Sequence, residues 1–182
     1  MFNFTINQPI IPATPTKRAP TAKISIIGTP AVGKTTLTRL LSQKCISGRY
    51  VPTQGFDLGS VNLDGLNFKI WDFGGQKAYI KQHLTQYIYG SDIVFVVTDS
   101  TPMNVLTTKE LLEFTKELVE ESCEIVAIAN KQDLPGHMEP GRVQNVLQVP
   151  TFPMVATDNT NFPNMVGLID TLMRRVTERK LA

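Results

Sequence analysis

Eight consecutive residues, Gly28-Thr29-Pro30-Ala31-Val32-Gly33-Lys34-Thr35, carry the pattern G-x-x-x-x-G-K-[ST]. Each position has a physical reason. The glycines let the loop turn its backbone N–H groups inward around an anionic phosphate. Lys34 reaches the β- and γ-phosphates, and the Thr35 hydroxyl is a ligand for Mg²⁺. A helix starting at Thr35 and Thr36 aims its positive end at the same phosphates. The alternative, a merely structural glycine-rich turn, is disfavoured because the pattern sits between a predicted strand and a predicted helix.

Four further segments bear on the ligand and its chemistry. Asp133 in Asn130-Lys131-Gln132-Asp133 can accept from both the ring N1–H and the exocyclic amine of guanine. Adenine lacks that pair of donors, so the carboxylate would be left unpaired. An ordinary polar loop is the competing reading, and the phosphate loop about 100 residues upstream argues against it. In Ile70-Trp71-Asp72-Phe73-Gly74-Gly75-Gln76, Asp72 ends a strand at the position of a Mg²⁺-holding acid. Gly75 can offer an N–H to a γ-phosphate, and Gln76 is placed to orient an attacking water. Upstream, Thr53 supplies a second hydroxyl for Mg²⁺, and Ala156-Thr157 can give a backbone N–H to the guanine O6.

These residues need a scaffold, and the chain alternates strand and helix from residue 23. Apolar runs predict strands at 24–27, 57–63, 66–72, 93–97, 125–129 and 154–156. Asp64-Gly65 between two of them is a strong hairpin signal. Helices are expected at about 35–44, from Thr101-Pro102 to about Glu121, at 140–147, and from near Pro163. The fold class expected is α/β: a six-stranded, mostly parallel sheet with one antiparallel strand and helices on both faces. Ligands then sit at the carboxyl ends of the strands.

Composition agrees with one domain and a tail. The 182 residues are 42% apolar and 19% charged, which excludes wholesale disorder, and no apolar run is long enough for a membrane span. Cys45 and Cys123 are far apart, which fits a reducing compartment rather than a disulfide scaffold. The net charge of +2 divides into +3 over residues 1–23, −4 over the middle and +3 at the end. No dense basic face suggests nucleic acid. Basic ends are compatible with an anionic membrane surface, though more often they are simply solvated. Residues 1–22, with Pro9, Pro12, Pro15 and Pro20, read as a flexible tail before a domain at 23–182. Phe2 and the terminal Lys180-Leu181-Ala182 predict neither N-myristoylation nor prenylation. A cytoplasmic location is expected, with peripheral membrane contact left open by the basic ends. His83 and His137 lack partners at metal spacing and are expected in surface or local roles.

In order and spacing these segments resemble the Ras superfamily of small GTPases, and most of all its Arf (ADP-ribosylation factor) family. The Arf likeness rests on Trp71-Asp72-Phe73-Gly74-Gly75-Gln76, Pro52-Thr53-Gln54-Gly55-Phe56, Asn130-Lys131-Gln132-Asp133-Leu134-Pro135 and Ala156-Thr157. It covers about 23–178 and implies the P-loop small GTPase fold. It implies a nucleotide site of Gly28, Thr29, Pro30, Ala31, Val32, Gly33, Lys34, Thr35, Thr36, Thr53, Asp72, Gly75, Asn130, Lys131, Asp133, Ala156 and Thr157. Within it, Thr35, Thr53 and Asp72 hold Mg²⁺ and Gln76 is catalytic. The implied function is a switch that binds GTP or GDP and hydrolyses GTP slowly, helped by an activating protein. Exchange factor, activating protein and effectors are expected at 47–57 and 73–87. The family's effector patch joins a Phe, a Trp and a Tyr; here Phe56 and Trp71 match, while the third position falls at Gln86 with Tyr87 beside it. The resemblance also implies that the hairpin 57–72 slides by two residues and displaces the N-terminal segment. A two-residue slide keeps every side chain on its own face of the sheet. Arg49, four residues before Thr53, is most simply a charge at a helix end, the alternative being an arginine that reaches the γ-phosphate in cis, one residue out of the register this has in Gα proteins. A binding module without turnover would lack Lys34, Thr53 or Gln76, and a P-loop kinase or ATPase would lack Asp133; all four are present.

Overall fold

The computed structural model describes residues 21–43, 53, 55–63 and 65–182, with the backbone alone at 77–79. Residues 1–20 of the expected tail 1–22, Cys45, Arg49, Tyr50 and most of 47–54 lie outside the described residues, whereas Thr21 and Ala22 belong to a strand and Ala22 is buried in the core.

Six strands form one sheet. They are β1 (Thr21–Ile27), β2 (Phe56–Leu63), β3 (Leu66–Phe73), β4 (Ile93–Thr98), β5 (Glu124–Ala129) and β6 (Thr151–Pro153), in the order β2-β3-β1-β4-β5-β6. Among the described residues only the β2–β3 pairing is antiparallel, from Phe56 opposite Phe73 to Leu63 opposite Leu66, so the expected hairpin between the two strands is present. The other pairings are parallel, and β1 lies centrally between β3 and β4. Among the described residues four α-helices lie between strands and a fifth follows the last: α1 (Lys34–Leu41), α2 (Lys77–Tyr87), α3 (Pro102–Lys116), α4 (Pro140–Leu147) and then α5 (Phe162–Leu181).

Side chains alternate along each strand, so each face of the sheet collects its own core. On one face Leu37, Leu40 and Leu41 of α1 and Met165, Ile169 and Leu172 of α5 pack on Ile24, Ile26, Ile70 and Phe95. On the other, Leu84 of α2, Val105 and Leu112 of α3 and Val143 and Leu147 of α4 pack on Ile27, Val94, Val96 and Ala127. β4 is buried along its whole length, which explains its continuous apolar run.

Three expectations need correction. The last strand is Thr151–Pro153, not 154–156. Met154 still donates its N–H to Ala129 O at 2.9 Å, but Ala156 donates its own to the side chain of Asn130. Met154 and Ala156 are buried because they line a loop, not because they extend the ladder. Helix α3 stops at Lys116, short of Glu121, and tight turns at Leu118 and Cys123 follow it. Helix α1 ends at Leu41, short of the expected 44, with Ser42 as its C-cap; and α2, to which no expectation was attached, occupies part of 73–87, its many polar residues hiding the spacing of Ile80 and Leu84.

The basic end of the chain is committed locally. Lys180 Nζ donates to Asp92 Oδ1 at 2.5 Å, Arg174 pairs with Asp170 at 2.8 Å, and Arg179 Nη2 lies 2.7 Å from Glu124 Oε1. The Arg179 contact is one of charge, since Glu124 Oε1 receives no aligned hydrogen bond.

Candidate functional site

The carboxyl ends of β1, β3, β4 and β5 bring the chemistry-bearing residues to one edge of the sheet. Gly28 follows β1 directly, and the loop ends at Gly33, whose φ of 104° caps α1 in a left-handed conformation. Side chains there are strained, and an added Cβ would fall 2.3 Å from Asn130 Nδ2. No side chain caps α1, so its first N–H groups are left for a ligand at the loop.

Lys34 is only 6% exposed, and its Nζ donates to Thr29 O at 2.8 Å. Burial lowers its ammonium to about 8, opposed by the nearby Asp72. Asp72, 1% exposed at the end of β3, accepts from Thr35 Oγ1 at 2.6 Å. Burial raises its carboxyl, against the pull of the Thr35 hydrogen bond and Lys34. Thr35 Oγ1 also lies 3.1 Å from Thr53 Oγ1. The structure thus joins the three oxygen donors Thr35, Thr53 and Asp72 from three separate segments. Asp72 Oδ1 is buried with no hydrogen-bond partner, an orphaned anionic oxygen. Among the described residues no cluster of three His, Cys, Asp or Glu side chains exists. A hard cation here would draw on hydroxyls, one carboxylate, water and phosphate, which is the donor set Mg²⁺ prefers.

Gly74 and Gly75 run against the loops on either side. Gly74 N–H donates to Gly55 O at 2.8 Å, and a Cβ on Gly74 would fall 2.5 Å from Thr53 O. A Cβ on Gly75 would fall 2.4 Å from the Thr29 carbonyl carbon and 2.6 Å from Gly28 O. The glycine pair is therefore a matter of space: the backbone of this segment rests on the phosphate loop. Gln76 follows, exposed, as the N-cap of α2, and its carbonyl accepts from Ile80 N–H at 3.0 Å.

Asn130 is a tie between loops. Its Nδ2 donates to Val32 O at 2.8 Å, and its Oδ1 accepts from Ala156 N–H at 2.9 Å. The N–H of Ala156 is engaged in this way, and Thr157 beyond it is exposed. Lys131 has a φ of 61°, and Asp133 is exposed at the same edge. Gln132 serves structure: its Nε2 donates to Ser100 Oγ at 2.8 Å and Met138 O at 3.2 Å. Thr36, Pro30 and Ala31 lie in or beside the loop, the last two exposed.

Beside the site stands an aromatic cluster. Phe56 stacks on Trp71 at 5.1 Å between ring centroids, Tyr87 lies 4.8 Å from Phe56 and 5.7 Å from Trp71, and His83 sits edge-on to Phe56 at 6.1 Å. Tyr87, not Gln86, completes the aromatic trio, and Gln86 is exposed. Lys23 Nζ lies 4.7 Å from the Trp71 centroid and donates to Tyr87 O, and to Tyr89 O at 2.7 Å. Sequence reasoning missed Lys23 and also Asn104, which bonds the phosphate loop from α3. Neither lies in a motif, so no sequence signal marks them.

Comparison with known proteins agrees with this arrangement. A profile described as "ADP-ribosylation factor family" matches residues 13–165. "ADP-ribosylation factor-like protein 3" of Chlamydomonas reinhardtii is 36% identical over 136 residues, covering 73% of this chain and 75% of that protein. "ADP-ribosylation factor-like protein 5" of Caenorhabditis elegans is 34% identical over 132 residues, covering 71% and 72%. On these likenesses the chain belongs to the ADP-ribosylation factor family, GTP-binding switches that hydrolyse GTP.

Proposed function

We propose that this switch holds Mg²⁺ with its nucleotide at the edge just described, with Thr35, Thr53 and Asp72 as the residues that hold the ion. The observation that carries this is the cluster of three oxygen donors with the orphaned Asp72 Oδ1. Bound there, Mg²⁺ would neutralise charge on the β- and γ-phosphates. The backbone of Gly28 to Gly33 and the Lys34 ammonium receive the phosphates, with Thr35 and Thr36 at the helix start. Gly75 N–H meets the γ-phosphate, and Gln76 orients the attacking water. Asp133 accepts from guanine, with Lys131 and Ala156-Thr157 beside it, and Asn130 keeps the three loops in register. The exposed position of Gln76 fits a residue whose alignment is completed by a partner. Intrinsic hydrolysis is then slow, and an activating protein supplies the arginine that spreads transition-state charge.

Family membership supports a role in membrane traffic. The exchange factor, activating protein and effectors engage 47–57 and 73–87, where Phe56, Trp71 and Tyr87 offer aromatic surface. Peripheral membrane contact is assigned to the basic tail residues Lys17 and Arg18, supported by the pairing of Arg174, Arg179 and Lys180 with acids at the other end of the chain. Among the described residues no helix is long and apolar enough to cross a membrane.

The test is nucleotide preference. Wild type should bind GTP more than tenfold tighter than ATP, and Asp133→Asn should move preference toward xanthine nucleotides. ATP binding within about tenfold of GTP, roughly 1.4 kcal/mol, overturns the role of Asp133.

A further inference from the structure

Asn104 lies in the first turn of α3, away from the phosphate-loop pattern in sequence, yet its side chain is fully committed. Its Nδ2 donates to Thr29 Oγ1 at 2.6 Å, across 75 residues of chain. Its Oδ1 accepts from Thr98 Oγ1 at 2.7 Å, from Thr108 Oγ1 at 3.2 Å and from Asp99 N–H at 3.3 Å. These partners fix the orientation of the amide. Turned over, its NH₂ would face the Asp99 N–H, donor against donor. The Thr98 hydroxyl accepts from Ser100 N–H at 3.2 Å, which leaves its own proton for Asn104. Thr98 and Thr108 are fully buried, so the anchor is rigid.

Thr29 is the residue through which this anchor reaches the site. Its hydroxyl takes the Asn104 bond, and its carbonyl takes Lys34 Nζ at 2.8 Å. Its carbonyl carbon is packed so closely by Gly75 that a methyl group would fall 2.4 Å away. A shift of the Thr29 peptide therefore moves Lys34 and the Gly74-Gly75-Gln76 segment together. We propose that Asn104 is a positioning residue for the nucleotide: acting through Thr29, it fixes the phosphate loop against Lys34 and Gly75. Helix α3 thereby contributes to nucleotide retention and to the geometry of hydrolysis. The proposal rests on the reading that residues 28–35 hold the phosphates.

The experiment measures GDP dissociation with a fluorescent analogue and single-turnover GTP hydrolysis, for the full chain. Asn104→Ala and Thr29→Val should each speed GDP release about five- to tenfold, the range that one net hydrogen bond supplies. The double variant should release no faster than Asn104→Ala alone, because Thr29→Val removes a bond that Asn104→Ala has already removed. Hydrolysis should slow in Asn104→Ala at saturating Mg²⁺-GTP. Thr108→Val removes an Asn104 neighbour but leaves the Thr29 bond, so its release rate should stay within twofold of wild type. Release within twofold of wild type for Thr29→Val, or multiplicative effects in the double variant, overturns the proposal. Thr29→Val leaves α3 untouched and decides the matter alone if Asn104→Ala does not fold. Lys34→Ala is measured in parallel. If it keeps GDP as tightly as wild type, the phosphate-loop reading fails; if it loses GDP while Thr29→Val is unchanged, only the role of Asn104 falls.

Discussion

Burial acts in opposite directions on the two charged side chains of the site: it raises the Asp72 carboxyl and lowers the Lys34 ammonium to about 8. Each partly relieves the other, and a polyphosphate with a cation would relieve both. Gln76 stands outside this balance, exposed and unburdened by charge. Gln76→Leu should therefore lower single-turnover hydrolysis by at least about tenfold while leaving GTP affinity nearly intact. An unchanged rate would remove Gln76 from the mechanism. Far from the site, burial and the acids Asp92, Glu124 and Glu120 push the Cys123 thiol up to about 12. That leaves about 1,000-fold less thiolate at pH 8 than a thiol at its ordinary value. Iodoacetamide should accordingly modify Cys123 far more slowly in the native protein than in urea, as read by mass spectrometry of its peptide. Equal rates would mean that the thiol is open. The motif residues were legible because each type answers a chemical need at fixed spacing. Asn104 and Lys23 were not, because an asparagine on a helix or a lysine on a strand means nothing until folding brings Thr29 or Trp71 beside it.

Elements differ in how far their own residues dictate them. β4 and β5 are apolar runs buried on both faces, and both stand where their sequence predicts. Thr101 caps α3 from its own side chain, accepting from Asn104 N–H, with Pro102 at the first helical position. The end of α3 and the placement of β6 depended on neighbours instead. Thr151, Phe152 and Pro153 pair with Ala127, Ile128 and Ala129, whereas the more apolar Met154-Val155-Ala156 turns away toward Asn130. The joint between β1 and β4 also relies on distant residues. Asp92 Oδ2 accepts from Lys23 N–H at 2.7 Å, and Asp92 Oδ1 accepts from Lys180 of α5. Asp92→Ala leaves that backbone donor without its partner and should cost about 1–3 kcal/mol. Lys180→Ala removes a half-exposed cation and should cost less than about 1 kcal/mol. Urea denaturation at equal GDP saturation checks the order, and equal losses would make the pair a surface salt bridge only.

For the whole molecule, the ligand is part of stability. A nucleotide at 100 times its dissociation constant adds about 2.7 kcal/mol, or roughly 5–11 °C in melting temperature for a domain of this size. Stripping nucleotide with a chelator should lower the melting temperature by about that amount, and Mg²⁺ chelation alone should speed GDP release. Identical melting with and without GDP would contradict a site built around bound phosphate. By itself, the sequence determined the alternation of strands and helices, the hairpin and the pattern of the phosphate loop, and it marked Asp133 as the carboxylate proposed to read guanine. Those depend on local periodicity and on residue types at short spacing, which survive without knowledge of distant contacts. The family resemblance already put Thr35, Thr53 and Asp72 together, and the fold brings their oxygens within hydrogen-bond reach; only the tertiary structure decided that Tyr87 rather than Gln86 closes the aromatic trio. It also decided that the basic end of α5 is spent on Asp92 and Glu124, and that α3 grips the phosphate loop through Asn104. Each of these joins residues far apart in the chain, and their proximity arises only when the parallel sheet stacks its strand ends along one edge.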